Sequence, residues 1–555
     1  MIKYLNKQTV NCGWMPPEHE RKPRNAFGVL YKKARGQYVT HPDQISPELL
    51  ACVQRHNLVV AFTMKPDMLE GIIASLHAGQ TELRFLDGSQ LQITESLTSM
   101  ANSNIKKFQY ACLVRQEGLL LAWHDDLQSA IPTAAKLEEQ LVKLVWGAKV
   151  LPFGLMATPG SRTPSVYSTG TSVFKGGMSE KPPASGLGMG IPNDSSEALE
   201  KDESMDALES LARPVNRTSA FFVGMAMCLA IVLLFGTFIS QLLIQTVMDG
   251  TYTRLALIVC VPFLLCVSLF FFQVIFSNIF QIVGPIGGQT ENSRFYSCIK
   301  PSLRRAYMDG FSAPHITIQM PVYKEGMESV IVPTVRSLQA AISFYESHGG
   351  SASIFINDDG LRVISEEEAK ARIEFYHDNN IGWVARPKHG QDGFVRKGKF
   401  KKASNMNFAL NISQQVEKYL QEMVDAKCAA EGTELIDEQE EEELYDVALA
   451  RVLEENPKAQ AAGNIRMGEF ILIVDSDTRV PVDSLLYGAA EMFLSPEVAI
   501  VQHSTGVMQV SWDYFENGIT FFTNMVYTAI RFSIGSGEVA PFVGHNAFLR
   551  WQGEL

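Results

Sequence analysis

The stretch FILIVDSDT, residues 470–478, joins five apolar residues to two closely spaced carboxylates. A short apolar run of this kind is typical of a strand that is buried on both faces of a sheet. Asp475 and Asp477 follow the run directly. On an extended chain, residues i and i+2 face the same side, and paired carboxylates suit Mg²⁺ or Mn²⁺. The stretch therefore predicts a buried strand whose end presents a site for a metal ion and a diphosphate.

Two earlier strand-like segments, HITIQM (315–320) and SIFIN (353–357), also end in polar sequences. Those sequences, PVYKE and DDG, supply Pro321, Tyr323, Glu325, Asp358 and Asp359. Helical segments separate the strands, so the pattern predicts an α/β domain with a mostly parallel sheet flanked by helices. Ligands of such sheets bind beyond the carboxyl ends of the strands. Adjacent carboxylates repel each other unless cations or hydrogen-bond donors compensate, so an acidic turn closed by glycine remains an alternative for DDG.

Residues 396–402 carry five cationic side chains, and Asn405 follows near the predicted start of a helix. Cations and the N-terminus of a helix both favour phosphate. A solvated basic loop is the alternative. Because the segment lies between two acidic strand ends in an acidic protein, we predict that Lys402 and its neighbours bind phosphate.

Residues 220–247 and 255–283 are two long apolar segments without a charged residue. About 20 apolar residues cross the hydrocarbon core of a bilayer, so they predict a transmembrane hairpin over 218–284. The connecting loop holds Arg254 against Asp249, whereas Arg213 and Arg217 precede the first segment and Arg294, Lys300, Arg304 and Arg305 follow the second. The positive-inside rule places both flanks in the cytosol. We therefore expect a multi-pass integral protein of the plasma membrane or a secretory-pathway membrane, with the lipid bilayer as a partner.

Composition excludes several classes of protein. The 555 residues include 48 Lys and Arg against 60 Asp and Glu, a net charge of −12, so we predict no nucleic-acid partner. A hydrophobic content of 46% excludes a mainly disordered chain. The eight cysteines are scattered, which argues against a disulfide framework or a zinc site and is typical of a reducing compartment.

Shifts in composition predict the organisation of the remaining chain. The expected parts are an N-terminal tail (1–21), a small α+β domain of unknown role (22–150), a flexible Gly/Ser/Pro-rich linker (151–217) and a C-terminal α/β domain (310–555) with an acidic helical insertion (414–468). The acidic run at 437–443 is interpreted as a solvated surface of that insertion, because charge runs are usually exposed helical faces.

PVYKE, DDG, KASNMN and VDSDT occur in this order after the hairpin. In this order and spacing they resemble the family 2 glycosyltransferases, most closely the membrane-embedded cellulose, hyaluronan and chitin synthases. The long N-terminal extension and the linker resemble fungal members that make surface and cell-wall polysaccharide. The resemblance covers about residues 215–555. It implies a GT-A fold, Mg²⁺ or Mn²⁺ as cofactor, and an inverting hexosyltransferase that moves a sugar from a UDP-sugar to a growing glycan acceptor.

The resemblance also implies roles for matching residues. Residues expected around the nucleotide base and ribose are Tyr323, Glu325 and Asp358, and those expected at the diphosphate and metal are Lys402, Asp475 and Asp477. The other expected donor-binding residues are Pro321, Asp359 and Asn405. A weaker match, GSGEVAPFVGHNAFLRW, implies that Gly544, His545 and Asn546 lie near the acceptor sugar.

Members of this family carry their general base in a later Glu-Asp motif, followed by further membrane helices. The sequence ends at Leu555 before such a motif. We therefore expect the general base beyond Leu555 and identify no catalytic base within these residues. The alternative to an enzyme is a non-catalytic membrane protein, or a truncated fragment, that retains only the donor-binding half.

Overall fold

The computed structural model describes residues 2–21, 26–34, 36–147, 217–398, 401–433 and 436–551. These residues form two seven-stranded sheets and two long apolar helices. The linker predicted at 151–217 lies, except for its last residue, outside the described residues.

The N-terminal sheet has the strand order β2-β1-β3-β7-β6-β5-β4. Its strands are β1 (Val29–Ala34), β2 (Gln37–His41), β3 (Val60–Met64), β4 (Glu82–Arg84), β5 (Gln90–Thr94), β6 (Ala111–Val114) and β7 (Leu119–His124). Neighbouring strands run antiparallel, except that β5 and β6 are parallel. The central strand β3 is buried along its whole length, which explains its unbroken run of nonpolar residues and threonine.

Helices cover both faces of this sheet. They are α1 (Ile2–Asn11), α2 (Pro47–Arg55), α3 (Leu69–Ser75), α4 (Leu97–Asn102) and α5 (Leu127–Trp146). Residues 2–15 are not the tail that the sequence predicted, because Leu5 and Trp14 are buried in the same core as Leu141 of α5. The Trp14 ring stacks on Phe62 of β3 at 6.0 Å, and its Nε1 donates to Glu138 at 2.9 Å. The N-terminal segment is therefore part of the domain.

The two apolar segments form a helical hairpin. Its elements are α6 (Thr218–Asp249), a 3-10 segment (Tyr252–Cys260) and α7 (Val261–Val283). Both arms are long and apolar enough to cross a membrane, and their apolar side chains are mostly exposed in the protein itself. An ion pair between Asp249 and Arg254 lies in the turn between the arms.

The C-terminal sheet has the strand order β11-β10-β9-β8-β12-β14-β13. Its strands are β8 (His315–Val322), β9 (Ser351–Asp358), β10 (Gly382–Ala385), β11 (Gln460–Ala462), β12 (Phe470–Ile473), β13 (Ile500–Gln502) and β14 (Ala547–Arg550). The four central strands are parallel, but each outer pairing is antiparallel. The sheet is therefore mixed rather than mostly parallel, because β14 returns to run against β12 and β11 returns to run against β10.

Seven helices of this part are α8 (Leu303–Met308), α9 (Val332–Glu346), α10 (Glu366–Asp378), α11 (Lys402–Glu431), α12 (Glu438–Glu455), α13 (Ser484–Leu494) and α14 (Tyr514–Gly535). Helices α9 and α13 pack on one face of the sheet, through residues such as Val335 and Leu485. Helices α11 and α12 cover the other face, where Ile412 and Val452 are fully buried. The segment 414–468 is thus a structural layer of the domain and not a surface insertion.

The hairpin contacts the C-terminal domain through α14. Phe280 of α7 packs on Phe532 at 5.9 Å between ring centroids, and Ser219 of α6 donates to Glu538 at 2.9 Å. The N-terminal half of α14 exposes a row of large side chains: Tyr514, Phe515, Ile519, Phe521, Phe522 and Met525. Exposed apolar surfaces of this kind mark sites that contact a partner or a membrane.

The N-terminal domain is joined to the C-terminal domain at the last turn of α9. Phe108 lies in the core of the C-terminal sheet, and its backbone N–H donates to Glu346 Oε2 at 2.8 Å. Glu346 is 6% exposed, and burial raises its pKa to about 8. Lys106, the cation that opposes this rise, donates to the carbonyl of Gly349 at 3.1 Å. The buried carboxyl group is therefore protonated at neutral pH.

We predict that this junction weakens as pH rises. The pKa of Glu346 is raised above its ordinary value of 4.5, so its favourable contribution is complete below that value and is lost as pH approaches about 8. The thermal midpoint of the full chain should fall by a few degrees between pH 6 and pH 8.5, since about 1 kcal/mol shifts the midpoint of a domain of this size by about 2–4 °C. Glu346→Gln, which resembles the protonated acid, should remove this pH dependence. An identical pH profile in wild type and variant would contradict the prediction.

Candidate functional site

The predicted site residues converge at one edge of the C-terminal sheet. Strands β8, β9 and β12 are adjacent and parallel, so their carboxyl ends lie side by side, with Val322 paired to Asp358. The first residue of α11, Lys402, and the loop that precedes β14 reach the same edge. This is the position at which parallel α/β sheets bind ligands.

Lys402 connects two of the predicted segments. Its Nζ forms an ion pair with Asp475 and donates to the carbonyl of Gly544 at 3.1 Å. His545 Nδ1 lies 3.8 Å from the other oxygen of the Asp475 carboxylate. Lys402, Asp475, Gly544 and His545 therefore form one cluster, in which a half-exposed carboxylate is flanked by a cation and an imidazole.

Asp475 and Asp477 do not lie on extended chain. The N–H of Thr478 donates to the carbonyl of Asp475 at 3.1 Å, which closes a turn over residues 475–478. The expectation that both carboxylates face one side of an extended strand is therefore wrong, because the strand ends at Ile473. Asp477 is exposed, and no hydrogen bond or ion pair holds its carboxylate among the described residues.

Hydrogen bonds from α9 hold the turn at 475–478 in place. Thr334 Oγ1 donates to the carbonyl of Ser476 at 2.6 Å and accepts from Arg479 Nη1 at 2.6 Å. Val480 N donates to Ser337 Oγ at 2.9 Å. The position of the turn therefore depends on the first half of α9.

The expected metal ion would have to be held by few protein ligands. No group of three or more His, Cys, Asp or Glu side chains is arranged to hold a metal ion within the described part of the chain. The open carboxylate of Asp477 and the partly engaged carboxylate of Asp475 are hard oxygen ligands of the type that Mg²⁺ and Mn²⁺ prefer. They fit such an ion if the ligand itself supplies further oxygens, as nucleotide phosphates do.

Asp358 is buried beneath the edge. Its carboxylate accepts from Arg372 Nη1 at 3.0 and 3.1 Å, from the Tyr376 hydroxyl at 2.7 Å and from the N–H of Gly360 at 2.7 Å. Burial raises the pKa of Asp358, and the Arg372 guanidinium opposes that rise. Burial beside Asp358 raises the pKa of Tyr376 well above its ordinary value, so the phenol stays a donor.

Asp359 is compensated in the same way. Arg386 binds its two oxygens at 2.7 and 2.8 Å, and Arg396 lies 3.6 Å from one of them. The buried Asn405 donates to the carbonyl of Asn357 at 2.8 Å. The side chains of Asp358, Asp359 and Asn405 are therefore engaged by the protein and do not open onto the surface, so their expected contact with a ligand stays a prediction.

The loop after β8 is held by Arg372. Its Nη1 donates to the carbonyl of Tyr323 at 3.1 Å and its Nη2 to the carbonyl of Glu325 at 2.6 Å. The Tyr323 side chain is 45% exposed, and Pro321 at the end of β8 is half-buried. Arg372 thus links the Tyr323 loop to Asp358, and it leaves the Tyr323 ring open to a ligand.

The residues expected near an acceptor are tied to β13. Gln502 Nε2 donates to the carbonyl of His545 at 2.8 Å, and Asn546 Nδ2 donates to Thr505 at 3.0 Å. Gly544 and Asn546 have φ values of +85° and +50°, so the backbone of this loop bends sharply. The buried Oδ1 of Asn546 has no partner among the described residues. The loop thus contains one buried acceptor without a protein partner among the described residues.

Sequence reasoning missed the arginines that stabilise DDG. Arg372 and Tyr376 are four residues apart and therefore share one face of α10. Arg386 directly follows the apolar strand β10, and this abrupt change from apolar to charged is the same signal that identified Asp475. Arg396 was part of the predicted basic segment, but it is buried and faces Asp359 instead of solvent.

Two family models match the chain. Residues 470–555 match the model described as glycosyl transferase family group 2, and residues 1–153 match a domain of unknown function (DUF7928). No curated protein matches the chain. The first match includes β12, the turn at 475–478 and the loop before β14, so it supports a domain similar to family 2 glycosyltransferases. Such a domain implies binding of a nucleotide-sugar donor and an acceptor.

We predict that Gly360→Ala destabilises the site. A Cβ at Gly360 would lie 1.5 Å from the carbonyl oxygen of Tyr323, so the loop after β8 would have to move. Forced displacement of this kind costs about 1–3 kcal/mol, which a lower urea midpoint would report.

Gly506→Ala is the matched control, because a Cβ there meets nothing within 4 Å. Equal stability of the two variants would show that the contact between residues 323 and 360 does not constrain the loop.

Proposed function

We propose that this protein is a membrane-bound glycosyltransferase that transfers a sugar from a nucleotide-diphosphate sugar to a glycan acceptor. The observation that carries the proposal is the cluster of Lys402 and Asp475, with the open carboxylate of Asp477 two residues on. The cluster lies at the carboxyl ends of the parallel strands, where α/β sheets bind ligands, and both aspartates belong to the segment that matches the family model. A GT-A fold, UDP as the nucleotide, and a polysaccharide product of the cell surface or wall are part of the proposal.

The donor diphosphate would lie between Lys402 and the turn at 475–478. Lys402 is a cation at the N-terminal end of the 30-residue helix α11, so its charge and the helix dipole act together on an anion. Mg²⁺ or Mn²⁺ held by Asp477 and Asp475 would neutralise the charge of the leaving diphosphate. Lys402 would move from Asp475 to the phosphates when the donor arrives.

The nucleotide base would lie against Tyr323. Its ring is partly exposed, and Lys324 Nζ is 5.5 Å from the ring centroid. Arg372 fixes the backbone on both sides of Lys324, so this loop is ordered before a ligand binds. In this arrangement Asp358 acts through Arg372, as a group that positions the loop.

The acceptor would approach from the loop at 544–546. His545 is next to the Asp475 carboxylate, and the Lys402–Gly544 hydrogen bond joins this loop to the donor side. A hydroxyl group held here would be close to the proposed diphosphate position.

The membrane part of the proposal rests on the hairpin. The Asp249–Arg254 ion pair neutralises the short turn, whereas Arg217 precedes α6 and Lys300 follows α7. This asymmetry supports a cytosolic position for both the N-terminal and C-terminal domains. The exposed face of α14 would then rest on the cytosolic surface of the bilayer.

We predict that Asp477→Asn weakens metal-dependent UDP binding. In detergent-purified protein with Mn²⁺, the dissociation constant for UDP should rise about tenfold or more, because a charge-assisted ligand contributes about 1.5–3 kcal/mol. The variant should fold normally, since Asp477 is exposed. Isothermal titration calorimetry with and without EDTA measures the effect.

Asp446→Asn, an exposed carboxylate on α12, is the matched control and should bind UDP like wild type. UDP binding that depends on Mn²⁺ in the Asp477→Asn protein to the same extent as in wild type would disprove the metal assignment. Binding of a UDP-sugar without release of UDP in the presence of acceptor would favour the alternative, a nucleotide-binding membrane protein without transferase activity.

Lys402→Gln is expected to change metal and nucleotide affinity in opposite directions. Loss of the cation frees Asp475, so Mn²⁺ should bind more tightly when no nucleotide is present. UDP should bind about tenfold more weakly, because a charge-assisted contact to the diphosphate is lost. Electron paramagnetic resonance of free Mn²⁺ and UDP calorimetry measure the two affinities. A decrease in both, or in neither, would contradict the proposed exchange of Lys402 between Asp475 and phosphate.

A further inference from the structure

We propose that the N-terminal domain positions the residues of the nucleotide-sugar site. It does so by binding the C-terminal ends of helices α9 and α10. The proposal rests on the proposed donor site, but its central observation is independent of any ligand. The same two helices contact the N-terminal domain at their C-terminal ends and the candidate site along their earlier turns.

The contact with α9 is apolar and buried. Phe108, in the loop between α4 and β6, is 8% exposed and belongs to the core of the C-terminal sheet. Gln109 Nε2 donates to the carbonyl of Glu346 at 2.7 Å, in addition to the bond from the Phe108 N–H to the Glu346 carboxyl group. The last turn of α9 is therefore completed by residues of the N-terminal domain.

The contact with α10 is polar. Asp378, the last residue of α10, pairs with Lys32 of β1 at 2.9 Å. Its carbonyl accepts from Asn57 Nδ2 at 3.3 Å. Only 11% of the Lys32 side chain is exposed. Burial would raise the pKa of Asp378, but Lys32 and its other polar neighbours outweigh burial and lower it. Asp378 is therefore held by two residues of the N-terminal domain, its carboxylate by Lys32 and its carbonyl by Asn57.

The acidic run at 437–443 is part of the same interface. Glu438 accepts from the N–H of Asn104 at 2.9 Å, and Glu442 forms an ion pair with Arg55. The sequence had indicated only a solvated face here. The carboxylates of helix α12 instead bind a basic side chain and a backbone N–H group of the N-terminal domain. The two surfaces are therefore complementary in charge.

The N-terminal half of α9 and the middle of α10 hold the candidate site. Thr334 and Ser337 of α9 anchor the turn at 475–478, and Arg372 of α10 holds the loop of Tyr323. Thr334 and Glu346 of α9 are 12 residues apart, so about 18 Å of helix separates the two contacts. A packed helix moves as a rigid unit, so a shift at Glu346 is transmitted to Thr334.

The test compares undocked and docked full-length protein. Phe108→Asp places a charge in the buried contact and should separate the domains, whereas Tyr4→Asp, an exposed aromatic of α1, is the matched control. Hydrogen exchange should speed up at residues 475–479 and 322–325 in Phe108→Asp without any nucleotide. UDP affinity should fall about fivefold or more, the usual lower range for coupled sites. Amides of β3 and of β8 should stay protected, which verifies that both domains remain folded.

If Phe108→Asp does not fold, two other experiments test the proposal: a milder variant, and the effect of UDP on hydrogen exchange in the N-terminal domain. Phe108→Ala should give the same changes with smaller amplitude. Because coupling is reciprocal, saturating wild-type protein with UDP and Mn²⁺ should slow exchange at Phe108 and Gln109.

Unchanged exchange at 475–479 in an undocked variant would overturn the proposal, even if UDP binds. Wild-type protein that fails to bind UDP, but shows the exchange changes on undocking, would refute the proposed function and leave the mechanical coupling supported.

Discussion

The burial of strand β12 on both of its faces is the constraint from which the candidate site follows. A strand covered by helices on both sides has no place for a carboxylate until it reaches the edge of the sheet. Asp475 and Asp477 therefore appear at the first positions where water, a cation or a ligand can reach them. Strands β8 and β9 run parallel to β12, so their polar ends arrive at the same edge. The common direction of the three strands therefore brings their polar ends together into one site.

Compensation of charge then separates these acidic groups into two kinds. Asp358 and Asp359 are buried, and each forms an ion pair with an arginine that donates to both of its carboxylate oxygens. Breaking such a buried pair typically costs about 3–5 kcal/mol, so these residues shape the loops around them. Asp475 is half-exposed and paired to a lysine, and Asp477 is open. At low cost, Asp475 can exchange Lys402 for a metal ion, and Lys402 can exchange Asp475 for phosphate. The proposed chemistry is therefore assigned to this pair and to the open Asp477.

Much of this arrangement could be predicted from local sequence. The apolar run at 470–474 and the alternation of strands and helices identified β8, β9 and β12 within a few residues, because strand burial leaves a clear pattern. The pattern could not give the antiparallel outer strands β11 and β14, since the direction of a strand depends on the path of the chain around the sheet. It also could not identify Arg372 and Arg386 as partners of Asp358 and Asp359, because they lie 14 and 27 residues away in sequence. The contacts of residues 437–443 with the N-terminal domain could not be predicted either, because their partners are more than 300 residues away in sequence.

The most direct measurement is the anomalous scattering of Mn²⁺ in crystals of the full chain grown with UDP. The account predicts a manganese peak within about 2.0–2.5 Å of a carboxylate oxygen of Asp477, bridging to the diphosphate, with Lys402 Nζ turned from Asp475 to a phosphate oxygen. UDP bound away from the carboxyl edge of β8, β9 and β12, or bound there without manganese and with the Lys402–Asp475 ion pair intact, would contradict it.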